Sequence, residues 1–138
     1  MINIVAWARL DALSERADFL DGFFKTISRL LDSNKYPLFF NEFYLKGEVK
    51  NSDCEKLLEE VLKIEKELKN VRVDMKMIEN EPDFLKVENY TKYLDKTATN
   101  MADLFLNPNR ETLFEVFKYN IDYAIKKSAP ILIKYYAM

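Results

Sequence analysis

The chain has 138 residues, 21 basic and 23 acidic side chains, no His and a formal net charge of −2. With a pI of about 5.3 it lacks the basic footprint that general nucleic-acid binding needs. No apolar run approaches the roughly 18–20 residues of a membrane span. A content of 49% hydrophobic and 32% charged residues with only two Gly fits one ordered domain over residues 1–138.

The first run, residues 2–7 (INIVAW), is β-prone and apolar enough for a buried strand. The N-terminus shows no basic region followed by a long apolar run, so no secretory signal is read, and the lone Cys54 has no internal disulfide partner. Both features lead us to expect a cytoplasmic protein. Phe19, Leu20, Phe23, Phe24, Ile27, Leu30 and Leu31 then mark one face of a helix, with Asp18 as its expected cap. Gly22 within it costs about 1 kcal/mol against alanine, which suggests that a neighbouring backbone passes close.

Residues 38–45 (LFFNEFYL) read as an aromatic central strand, with Gly47 marking its end or a bulge. Ser52-Asp53-Cys54-Glu55 has the form of a capping box, opening a helix with the stripe Leu57, Val61, Ile64 and Leu68. Alternation over residues 71–77 predicts a half-buried strand, followed by an acidic turn at residues 79–83. Residues 84–94 carry no clear period, and residues 101–106 read as a short helix. Asn107-Pro108-Asn109 is a turn, with Asn109 as expected cap for a helix bearing Leu113, Phe117, Ile121 and Ala124. Pro130 ends that helix, and residues 131–136 form the last expected strand. The sum is an α+β domain, a sheet of about four strands with packed helices.

Catalytic equipment is sparse. Absence of His removes Ser-His-Asp and Cys-His catalysis and histidine metal sites. Gly22 and Gly47 are too far apart for a phosphate-cradling loop. Glu79, Glu81, Asp83 and Glu88 have the hard oxygens a cation takes, and equally the composition of a solvated turn. We expect neither a catalytic residue, nor a metal, nor a cofactor. Cys54 near a helix start is read as a small, partly buried side chain. Tyr90 and Tyr93 beside the acidic turn have the composition of a protein interface, and also of rings covering the edge of a core.

Two stretches carry a family resemblance. Residues 18–28, DFLDGFFKTIS, and residues 101–106, MADLFL, followed by a turn and the Leu113–Ala124 helix, resemble the immunity protein 70 family. Members of such families protect bacteria from polymorphic or contact-dependent growth-inhibition toxins. The turn Asn107-Pro108-Asn109 departs from the Gly-containing turn expected there. The resemblance implies a non-enzymatic protein whose partner is the C-terminal domain of a cognate toxin, often a nuclease, with no direct nucleic-acid or membrane binding. From Glu48 to Glu88 twelve acidic residues outnumber eight basic ones, so this part of the chain is the expected contact face for a basic toxin. The residues expected to bind are Glu79, Glu81, Asp83, Glu88, Tyr90 and Tyr93. The alternative is a non-catalytic adaptor or structural subunit bound to another protein.

Overall fold

All ten phenylalanines are buried, and their rings form one connected network. The computed structural model describes residues 2–4, 13–87, 89–107 and 109–133. Helix α1 (Leu13–Leu30) supplies Phe19, Phe23 and Phe24 to the network, and helix α5 (Leu113–Lys126) supplies Phe114 and Phe117. Helix α2 (Cys54–Leu68) buries Leu57, Val61, Ile64 and Leu68 and packs along α5, where Lys118 Nζ meets Glu65 Oε1 at 2.8 Å. The three amphipathic stripes therefore bury the faces their periodicity predicts.

Helix starts differ from expectation in instructive ways. Asp18 is no cap, because α1 begins at Leu13. Nothing in Ser14-Glu15-Arg16-Ala17 breaks a helix, and an interior Asp costs only a few tenths of a kcal/mol, about 0.7 at most. The expected Ser52 box does not form: Asn51–Asp53 is a 3-10 turn, and Asp53 at the N-cap makes no side-chain capping bond. Asn51 instead ties that turn to the far end of α5, donating to the carbonyls of Ala124 and Ala129. Asn109 does not cap α5 either. Thr112 does, its hydroxyl accepting from Glu115 N–H at 3.1 Å, the N-cap bond expected of a Thr in a Thr-x-x-Glu sequence.

The expected strand at residues 38–45 is a π-helix, Leu38–Lys46. The Glu60 carboxylate on α2 accepts from the backbone N–H groups of Phe39 at 2.9 Å and Leu38 at 3.4 Å, capping its first turn. Gly47, at φ 74°, closes the other end by donating to the Glu42 carbonyl. This wide helix turns Phe39, Phe40 and Phe43 inward together, with Phe39 and Phe43 against Phe24 and Phe117. On a strand, Phe39 and Phe40 face opposite ways. Ring packing thus outweighs the β-propensity of Phe and Tyr.

The expected strand at residues 71–77 also fails to form. Arg72 makes an isolated bridge to Asn100, and Asp74 then accepts from the N–H groups of Lys76 and Met77 to cap the short helix α3 (Met75–Glu79). Helix α4 (Pro82–Leu85) follows directly, and Tyr90–Tyr93 forms a 3-10 turn. Residues 101–104 are turns rather than a helix, and Phe105 and Leu106 after them are held extended by bridges to Leu94 and Thr112.

With two expected strands gone, the sheet has, among the described residues, three short strands rather than about four. The order is β1 (Ile2–Ile4), β3 (Ile131–Ile133), β2 (Glu48–Val49). β3 lies in the middle, parallel to β1 with Ile2 opposite Ile131 and antiparallel to β2 with Val49 opposite Ile131. Mixed helix and strand is therefore correct, with helix dominant. The remainder of the first expected strand, including Trp7, and of the last lies outside the described residues.

Gly22 sits against a side chain, not a backbone: a Cβ there would lie 2.9 Å from the Phe84 ring. Gly22→Ala is expected to destabilise the fold by about 1–3 kcal/mol in urea unfolding, since overpacking outweighs the gain in helix propensity. A second expectation concerns Tyr36, which is buried and donates its hydroxyl to the Glu67 carboxylate. Burial first, then that bond, push its pKa up to about 12 from 10.0. The folded state therefore holds a proton that the unfolded chain releases above pH 10. The resulting stability is complete below pH 10 and is lost as pH rises towards 12. Tyr36→Phe is expected to flatten that part of the stability profile, measured as unfolding free energy from pH 9 to 12.

Candidate functional site

Helix α4 packs against α1, and two ion pairs fix the contact. Arg29 Nη1 lies 3.1 Å from Glu81 Oε2, and Lys25 Nζ lies 2.5 Å from Asp83 Oδ2. Lys86 approaches the other oxygen of Asp83 at 3.7 Å. The Glu81 carboxylate is only 2% exposed, and its Oε2 has the Arg29 charge close by but no hydrogen bond of good geometry. The hydrogen bond from Lys25 to Asp83 raises the Lys25 pKa above its ordinary value, with burial acting in the opposite direction. These two carboxylates face inward, towards the cations of α1. Beneath them Phe84 stacks on Phe105 at 6.0 Å and meets Phe19 edge-on at 5.1 Å.

The remaining expected binding residues divide. Glu79 is exposed at the end of α3. Tyr90 is half-buried, its ring 5.9 Å from Phe84, and its pKa is raised by burial first and by the nearby Glu79 charge second. Tyr93 is buried, edge-on to Phe19 at 5.3 Å, with Lys92 Nζ 5.1 Å above its ring. Glu88 lies outside the described residues. The fold thus gathers Glu79 and Tyr90 at the surface and places Glu81, Asp83 and Tyr93 in the layer that supports them.

Sequence reasoning missed the ground beside this segment. A groove of about 260 Å³ lies between the start of α3 and the Tyr90–Tyr93 turn. Its walls are Val73, Met75, Leu94, Ala98 and Leu104, and Thr91, Asp95 and Lys96 complete it. No periodicity marks it, because its walls come from three separate stretches joined by backbone bonds such as Met101 N–H to Val71 O and Asp95 N–H to Leu104 O. The turns that carry it are tightly wound. Asn89 and Arg110 both adopt positive φ, and Arg110 Nη1 donates to the Lys92 carbonyl at 2.7 Å.

Cys54 is fully buried, and burial pushes its thiol pKa up, which suits a packing role rather than a reactive one. Among the described residues no group of three or more His, Cys, Asp or Glu side chains could hold a metal ion.

The family model described as immunity protein 70 matches residues 12–133. The chain belongs to the immunity protein 70 family. No curated protein and no solved structure matches it. As an immunity protein it is one half of a toxin–immunity pair.

In this immunity protein the Arg29–Glu81 pair holds α4 in place. Arg29→Ala is expected to destabilise by about 1–3 kcal/mol, because it strands a buried carboxylate; the exposed half of Arg29 keeps the loss below that of a fully buried pair. Arg29→Met combined with Glu81→Gln is expected to recover most of that loss. Urea unfolding of the single and double variants measures the difference.

Proposed function

We propose that this immunity protein binds the C-terminal domain of one cognate toxin, a nuclease, and neutralises it in the cytoplasm without turning over any substrate. The observation that carries this reading is the family match across residues 12–133. The acid–base balance agrees with it: a net charge of −2, concentrated between Glu48 and Glu88, complements the basic substrate cleft a nuclease needs. Among the described residues no helix is long and apolar enough to cross a membrane.

For the contact face we propose residues 79–93, with Glu79, Tyr90 and Glu88 meeting the toxin. Glu81, Asp83 and Tyr93 act through position, by anchoring that segment on α1. Such a platform loses little conformational entropy on binding, which favours affinity. Tyr90 offers a large ring surface at low entropic cost.

Co-expression with the C-terminal region encoded just upstream in the source genome tests the reading. Growth rescue together with a dissociation constant in the nanomolar range or below is the expected outcome. Neither rescue nor binding overturns the reading and favours an adaptor role. Glu79→Lys is expected to weaken binding about 10-fold or more, mainly through slower association at low salt.

A further inference from the structure

Asp95 is the fixed charge in the groove beside Met75. Its Oδ1 accepts from both the backbone N–H of Thr97 at 2.9 Å and the Thr97 hydroxyl at 2.6 Å. The hydroxyl bond first, then the backbone bond, hold its carboxyl below the usual carboxylate range, and the Arg110 charge adds to the effect. Its own N–H is tied to the Leu104 carbonyl at 2.8 Å, and its carbonyl accepts from Ala98 N–H. Among the described residues no hydrogen bond or ion pair engages Oδ2. Arg110, whose charge acts on this carboxyl, donates through Nη1 to the Lys92 carbonyl at 2.7 Å.

The groove therefore combines apolar walls at Met75, Ala98 and Leu104 with one carboxylate held in place by Thr97. That combination matches a side chain with an apolar stem and a cationic head. A volume of about 260 Å³ suits one such side chain. We infer that the groove receives a single arginine or lysine of the bound toxin, its methylenes against Met75, Ala98 and Leu104 and its charged head on Asp95 Oδ2. This rests on the toxin-binding reading above and deepens it, extending the contact from Tyr90 across Thr91 to Asp95. Lys96 also lines the groove, so the competing occupant is an acidic side chain, and the two make opposite predictions.

The experiment measures the dissociation constant for the toxin domain encoded just upstream, at low and high salt, with wild type, Asp95→Asn, Lys96→Gln and Ala98→Leu. The Asn variant keeps an acceptor for Thr97 N–H, and a melting curve checks that each variant is folded. Asp95→Asn is expected to weaken binding about 10- to 100-fold, the worth of one charge-assisted bond, and to reduce the salt dependence. Ala98→Leu, which fills the groove, is expected to weaken binding comparably, while Lys96→Gln leaves it unchanged or tighter. Wild-type affinity in both Asp95→Asn and Ala98→Leu overturns the inference while leaving toxin binding intact. Loss in Lys96→Gln with no loss in Asp95→Asn overturns it in favour of an acidic occupant, and loss in Ala98→Leu alone overturns it in favour of an uncharged one. Failure of the wild type to bind or rescue overturns the toxin-binding reading itself.

Discussion

Edge-to-face packing of phenylalanine rings is the constraint on which this structure depends. Phe23 meets Phe105 and Phe114, and Phe117 meets Phe43 and Phe39, all at centroid distances below 6 Å and at steep angles. Each such pair contributes about 0.5–1.5 kcal/mol beyond the area it buries. The rings come from α1, the π-helix, α4, the turn before α5, and α5 itself. A geometry satisfied by so many elements at once leaves each little freedom. The π-helix is the clearest consequence. Its hydrogen bonding is of a rare kind, and it persists because it delivers Phe39, Phe40 and Phe43 to one side.

Charge then acts where the rings leave gaps. Glu60 caps the π-helix from α2, and burial raises its pKa against the opposing pull of the two backbone bonds. Glu81 and Asp83 bind α4 to α1 through Arg29 and Lys25. In each case a carboxylate sits at the border of the aromatic core with a defined partner, which is what lets charge approach an apolar interior. Acidity that looks in sequence like a recognition surface is therefore partly architectural. The surface we propose for a toxin is narrower: Glu79, the outer edge of Tyr90 and the groove that ends at Asp95.

That division shows how far the site was legible. The acidic and tyrosine-rich character of residues 79–93 was visible, and so was their separation from the regular helices. What separates Glu79 from Glu81 is the two-residue step from the end of α3 to the start of α4. It turns one carboxylate to solvent and the other towards Arg29. Composition holds no trace of that step. The groove is less legible still, since Val73, Leu94 and Ala98 are brought together only by backbone bonds between segments about 20–30 residues apart in sequence.

By itself the sequence determined three helices, their buried faces, the absence of histidine chemistry and the family. Each of these rests on local spacing or on residue type, and a stripe at 3.6-residue spacing means a buried face whatever it packs against. Tertiary structure alone decided the two segments whose alternation or aromatic content suggested strands. At residues 71–77 Val71 and Arg72 are taken up by Met101 and Asn100, about 30 residues on, and Asp74 then caps α3. At residues 38–46 the rings of Phe24 and Phe117 and the carboxylate of Glu60 offered more than a fourth strand could. β-Propensity measures how well a side chain suits a pleated surface, and it yields when the partners present are helices.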